Sequence, residues 1–213
     1  YIPVDGFGRI DTQKIENALT DSTVLVTIQH ANSEVGTLQD ISEIGKLVQK
    51  KGILFHTDAV QSVGKISVNV NDLCVDLLSL SSHKIYGPKG VGALFVKQGT
   101  PPLFSPVCGG GQEKKRRGGT ENVPGIVGFG KACQLAHYRL NKGDTERLKK
   151  MRDQLRKKIK ELIPNVKFFG CVEKCLPNTL NCGFEGADGE ELLIALDMAG
   201  ISVSTGSACS SGS

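Results

Sequence analysis

The alternation between Thr23 and His56 leaves this chain few folds to choose from, because an apolar run, an amphipathic helix and a second apolar run follow one another within one short stretch. Thr23-Val-Leu-Val-Thr-Ile28 reads as a buried strand. Asp40 to Lys51 carries Ile41, Ile44, Leu47 and Val48 on one helical face, and Gly52 closes it. Ile53 to His56 is the next strand, followed by Val75 to Leu80 and Gly92 to Val96, the last two separated by a turn rich in Gly and Pro. Strand, helix, strand in that order implies a right-handed crossover and at least partly parallel pairing. The expected fold is an α/β sheet.

Two strand ends carry chemistry. Ser79-Leu-Ser-Ser-His-Lys-Ile-Tyr-Gly-Pro-Lys-Gly-Val-Gly92 closes an apolar strand with a Ser-x-His-Lys step and a glycine-rich turn, which places Lys84 at a strand terminus. Ile53-Leu-Phe-His-Thr-Asp-Ala-Val-Gln-Ser-Val-Gly64 carries Asp58 and Gln61 just past another apolar run. In open α/β sheets the carboxyl-end edge is where ligands bind. An amine there can hold an aldehyde carbon, and a carboxylate facing a pyridinium nitrogen keeps it protonated and strengthens the ring as an electron sink. The pair therefore reads as a site for pyridoxal 5'-phosphate. Ser81 and His83 alone would suit ordinary strand-end capping; beside the lysine they become candidates for phosphate contacts.

Further along, Asn122 to about His137 is expected to be a long helix despite its glycines, and Thr145 to Leu162 an amphipathic one with Leu148, Met151, Leu155, Ile159 and Leu162 on one face. Pro164 ends it. Val166 to Phe169, Thr179 to Phe184, a helix from Gly189 to Met198, and Ile201 to Val203 read as a small α+β unit. The shift to a lysine-rich helix sets the expected division at residues 1–137 for a larger unit and 138–213 for a smaller one.

With 213 residues, 39% hydrophobic and 23% charged, the chain has enough apolar material for a core. No apolar run approaches the ~20 residues of a membrane span, and Tyr1-Ile-Pro-Val-Asp-Gly lacks the cationic and apolar blocks of a secretory signal. Starting at Tyr1 rather than Met, the sequence is expected to be a piece of a longer protein or a processed product. Seven cysteines, an odd count, argue for a reducing compartment, cytoplasmic or organellar. Cys171 and Cys175 lack a second pair or a nearby histidine, so small packing residues are expected rather than a metal site. The net charge is +4, and its main concentration, Lys114-Lys-Arg-Arg117, has no aromatic interleaving in a chain that is 5% aromatic. Nucleic-acid binding is not expected.

At five ordered motifs the chain resembles the NifS/IscS-type cysteine desulfurases of the class V aminotransferase group. They are His30-Ala-Asn-Ser-Glu-Val-Gly36, His56-Thr-Asp-Ala-Val-Gln-Ser-Val-Gly-Lys65, Ser81-Ser-His-Lys-Ile-Tyr-Gly-Pro-Lys-Gly90, Gly109-Gly-Gly-Gln-Glu113 with Gly118-Gly-Thr-Glu-Asn122, and Ser204-Thr-Gly-Ser-Ala-Cys209. The resemblance implies the type I fold of pyridoxal phosphate enzymes, with a mostly parallel central sheet flanked by helices and a small α+β C-terminal domain. It implies that Lys84 binds the cofactor aldehyde and then moves the proton of the substrate α-carbon, and that Asp58 pairs with the ring nitrogen. By the same resemblance Gln61 meets the phenolic oxygen, Ser81 and His83 the phosphate, and Thr120 the phosphate of a neighbouring subunit, which makes a homodimer the expected assembly. Cys209 would be the nucleophile that takes sulfur from L-cysteine as a persulfide and passes it to an acceptor or iron-sulfur scaffold protein. A selenocysteine lyase and an inactive scaffold of a sulfur-transfer assembly are the alternative readings.

Departures from the family pattern are Ser33 at the second position of an Asn-Asn-Glu step, which leaves Asn32 as the candidate contact there, Ser82 in place of a common glycine, and Gln112 in place of a common histidine. The family's phosphate-binding turn and ring-stacking histidine are not found before residue 30, nor its substrate-carboxylate arginine after Cys209. Alone, the chain is expected to bind cofactor weakly and turn over poorly.

Overall fold

The computed structural model describes residues 1–206. Its centre is a sheet in the order β1 (Leu25–Gln29), β2 (Leu54–Asp58), β3 (Leu77–Ser81) and β4 (Gly92–Val96). The first three are parallel and β4 returns antiparallel to β3, so the sheet is mixed and mostly parallel. Register puts Ile28 beside Thr57 and Gln29 beside Asp58, and Asp58 beside Ser79. The alternation of a strand then sorts the side chains: Ile28, Phe55, Thr57 and Leu78 are buried on one face, while Leu25, Thr27, Gln29 and Asp58 are exposed on the other.

The buried face is covered by α1 (Thr12–Ala18) and α2 (Ile41–Lys50). Ile15, Ile41, Ile44 and Val48 pack with Ile28, Phe55, Val75 and Leu78 into the main core. α2 ends where expected, with Gly52 at φ +69 just beyond its last turn. Helix α1 was not legible as a helix, having only Ile15 buried; Asp11 caps it by accepting from the Gln13 amide. A single turn, α3 (Gln112–Lys115), follows β4, and then α4 (Val123–Asn141) begins with Asn122 accepting from the Gly125 amide. α4 sets Phe129, Ala132 and Ala136 against Ile85, forming a second core beside the end of β3. It runs unbroken across the 137–138 junction.

α5 (Asp144–Leu162) is followed by an antiparallel pair, β5 (Val166–Phe169) and β6 (Asn181–Phe184), and by α6 (Gly189–Met198). Asp188 caps α6 by accepting from the Glu190 and Glu191 amides. Ile201 to Val203, expected to belong to the small α+β unit, forms no strand: both apolar side chains are exposed, and among the described residues no strand pairs with it. The loop between β5 and β6 returns to the first sheet's surroundings. Leu176 donates its amide to Gly36 O at 2.8 Å, Leu38 donates to Lys174 O at 2.9 Å, and Lys174 pairs with Asp40 at 2.5 Å. Among the described residues no helix is long and apolar enough to cross a membrane.

Candidate functional site

Parallel pairing of β1, β2 and β3 brings their carboxyl ends to one edge, and the candidate residues follow from that. Asp58 is the last residue of β2, held in line because its carbonyl accepts from the His30 amide at 2.8 Å. Its Oδ1 accepts from the Val60 amide at 2.9 Å, and the carboxylate is exposed. β3 ends at Ser81 and passes into a 3-10 turn, Ser82–Ile85, that carries His83 and Lys84. The turn is anchored by buried Ser82 and Ile85 and closed by Tyr86 in the left-handed region at φ +66. Gly87 donates to Ser82 O at 3.0 Å, and the Arg139 guanidinium lies 5.5 Å from the Tyr86 ring centre. Lys84 is thus half-buried on a rigid corner rather than on a free loop. The Ser81 hydroxyl and His83 Nδ1 are 2.8 Å apart, the paired arrangement an anionic group could replace or extend.

Gln61 and Lys65 lie on the turn after β2. That turn folds tightly, with Ser62 and Val63 donating to Ala59 O and with Lys65 and Ile66 donating to Ser62 O. Gly64, at φ +75, lets it lie against the lysine turn; a Cβ there would stand 2.7 Å from Ile85 Cγ2. Lys65 Nζ donates to the Gln61 carbonyl at 2.8 Å and to Gln61 Oε1 at 3.0 Å. Burial and then the nearby Lys84 charge lower the Lys65 pKa to about 8. Lys65 was not among the residues expected at the site, although it closes the motif that contains Asp58 and Gln61.

A polar line crosses the exposed sheet face below this edge. His56 Nδ1 is 2.6 Å from Thr27 Oγ1, and Nε2 is 2.9 Å from Ser79 Oγ, so one imidazole spans three strands. Burial pushes its pKa down while the Asp58 charge pushes back up. On the opposite face His30 is 6% exposed, its Nδ1 has no partner among the described residues, and burial lowers its pKa.

The remaining candidates are placed differently. Asn32 Oδ1 accepts from the Glu34 and Val35 amides at 2.9 and 3.0 Å, so its oxygen builds a turn and its amide nitrogen is the group left to donate. Thr120 is exposed, beyond the glycine-rich turn of Gly109 to Gly111, and makes no side-chain hydrogen bond among the described residues. Cys209 lies outside the described residues. Cys175 donates its thiol to Val35 O at 3.6 Å, and burial raises its pKa, so it is a packed thiol at the seam between the two sheets.

The groups at the edge are one exposed carboxylate, one amide bound to the Lys65 ammonium, a hydroxyl–imidazole pair and the Lys84 amine. These are the groups that a phosphorylated pyridine aldehyde needs; Asp58 and His83 are exposed, and Gln61, Ser81 and Lys84 half-buried.

A model of the family described as Aminotransferase class-V matches residues 1–213. The cysteine desulfurase IscS of Dictyoglomus turgidum is 48% identical over 213 residues, taking in 100% of this chain and 54% of that protein. The solved structure of a NifS-like protein from Rickettsia africae ESF-5 superposes with a TM-score of 0.90 at 38% identity, over 97% of this chain and 57% of that one. A structure described as SspA in complex with cysteine gives a TM-score of 0.76 at 36% identity, over 98% of this chain and 57% of that one. The chain spans about half the length of the curated relatives it matches.

Proposed function

The chain belongs to the class-V aminotransferase family, and from that premise we propose that the protein it comes from is a pyridoxal 5'-phosphate-dependent cysteine desulfurase. The overall change would be transfer of the substrate sulfur atom to an enzyme thiol. The Cβ–S bond of L-cysteine breaks, an S–S bond forms as enzyme persulfide, and the carbon skeleton leaves as alanine. Atoms and electrons balance without an outside oxidant. The observation that carries this reading is the shared edge at which Asp58 ends β2 and Lys84 follows β3. Relatives named cysteine desulfurase, and a neighbour described with cysteine bound, support the choice of substrate.

Pyridoxal phosphate, when bound, supplies an electron sink for charge developing on the substrate α-carbon. Lys84 would hold its aldehyde carbon and, once released, move the α-proton, and the 3-10 turn Ser82–Ile85 would keep that amine in reach. Asp58 would keep the ring nitrogen protonated through its exposed carboxylate. Gln61 would donate from its amide nitrogen to the phenolic oxygen. Ser81 and His83 would take the phosphate, with Thr120 of a second copy added across a homodimer and Asn32 contributing its amide nitrogen. Cys209 would carry the persulfide to a sulfur-acceptor or iron-sulfur scaffold protein, in a cytoplasmic or organellar compartment. In this proposal residues 1–137 belong to the cofactor-binding unit and 138–213 to the smaller one.

The test uses the full-length protein with added pyridoxal phosphate. Wild type is expected to develop a visible absorbance band that Lys84→Ala abolishes. Cys209→Ser is expected to keep the band and stop sulfide and alanine release from cysteine. A band with no release from cysteine would replace this reading with selenocysteine or another amino acid as the substrate. No band at all would leave a scaffold role as the better account.

A further inference from the structure

We propose that Lys65 is a positioning residue of this site, fixing the Gln61 carboxamide so that its NH2 group is the end presented to the ligand. The inference rests on the cofactor reading above and adds to it a residue to which that reading assigns no task.

A carboxamide alone can offer either its oxygen or its nitrogen, and rotation by half a turn exchanges an acceptor for a donor. An ammonium group has donors only. Lys65 Nζ lies 3.0 Å from Gln61 Oε1, so it can bind the oxygen end and no other. The same Nζ is 2.8 Å from the Gln61 main-chain carbonyl, which ties the ammonium to the residue's backbone as well as to its side chain. With Oε1 turned toward the ammonium, Nε2 is the end that Gln61 turns outward. The group it meets must then be an acceptor, as the phenolic oxygen of the cofactor is.

The placement of the lysine is itself held. Its carbonyl accepts from Thr145 Oγ1 of α5 at 2.9 Å, across 80 residues of sequence. Ser62, with no exposure, anchors the turn on one side, and Gly64 seats it on Ile85 beside Lys84 on the other. Keeping a cation half-buried near a second lysine costs free energy, and burial and the Lys84 charge lower its pKa to about 8. It is still mostly protonated at pH 7, so the ammonium can hold Oε1 under working conditions. A surface lysine kept for solubility would meet neither cost.

The experiment follows the visible band of pyridoxal phosphate in the full-length protein as pH is varied, since the band's midpoint reports how strongly the phenolic oxygen is held as an anion. Lys65→Met keeps the length of the side chain and Lys65→Ala removes it, so failure of one to fold leaves the other. Either is expected to raise the midpoint by about one unit, a tenfold change in acidity, because the anion loses its fixed donor. Lys65→Arg, which keeps donors within reach, is expected to stay near wild type. In a Gln61→Leu background the same Lys65 truncations are expected to add no further shift. An unchanged midpoint would overturn the proposal, and so would an equal shift in the Gln61→Leu background, which would show the charge acting without the amide. A wild type with no band sensitive to Lys84→Ala would fail one step earlier, at the cofactor reading, and would remove this inference with it.

Discussion

Ser82 shows how much a single buried atom decides. Its side chain has no exposure and its Oγ has no hydrogen-bond partner among the described residues, pressed as it is against Gly87. A buried hydroxyl without a partner keeps its desolvation cost, so Ser82→Ala is expected to stabilise the full-length protein by about 1 kcal/mol, read from the urea midpoint. A loss of stability would show that the hydroxyl is satisfied after all. His30 makes the complementary case. Burial lowers its folded-state pKa, so the folded protein resists the proton that the unfolded chain accepts near the ordinary value of about 6.5. Stability is therefore full above that pH and declines as pH falls below it. His56 shifts in the same direction, so His30→Leu should flatten the decline between neutral and mildly acid pH without abolishing it, as urea midpoints at two pH values would register. The strand-end positions of Asp58 and Lys84 were legible in the sequence because each follows an apolar run. Lys65 was not, since its contact with Gln61 depends on how tightly a turn curls, and neither composition nor periodicity records that.

Around the main sheet, strand and helix types followed from periodicity because β1, β2 and α2 each have one buried face, as in α2, where Ile41, Ile44 and Val48 are buried, whereas the apolar stripe of α5 has no buried residue. Ends were less legible. β2 runs on through Thr57 and Asp58 because partners at His30 and Ser79 extend its ladder, a matter of register that a lone strand cannot announce. The Thr27–His56–Ser79 line was hidden for the same reason. Apolar residues from Ile201 to Val203 suggested part of the small unit, but among the described residues they pair with no strand. Two glycines separate conformational strain from crowding. Gly52, at φ +69, has nothing within 4 Å of an added Cβ, so Gly52→Ala is expected to cost about 1 kcal/mol, the left-handed penalty alone. Gly64, at φ +75, faces Ile85 and Ala136 as well, and Gly64→Ala should cost about 3 kcal/mol through strain and overpacking together. Equal losses in thermal unfolding would mean that the turn carrying Gln61 is not seated on the lysine turn.

Across the whole molecule, the feature least visible in the sequence is the seam between the two sheets, because the residues that make it are far apart in the chain. Thr37 is its centre, with no exposure. Its hydroxyl donates to Phe7 O at 2.7 Å and accepts from the Cys171 amide at 3.0 Å, joining three distant segments through one oxygen. Around it Asp40 pairs with both Arg9 and Lys174, and Arg152 of α5 donates to Leu176 O at 2.8 Å. Those ion pairs are partly exposed and contribute little each. The buried hydroxyl is different, because replacing it with a group of the same shape leaves both a carbonyl and an amide without a partner. Thr37→Val is expected to cost about 3 kcal/mol and to speed hydrogen exchange at the Cys171 amide, while Thr37→Ser, which keeps the oxygen, should cost about 1 kcal/mol. If valine and serine cost the same, the seam is held by shape alone. If exchange at Cys171 rises in step with the stability loss, one hydroxyl fixes the second sheet against the loop that follows Asn32.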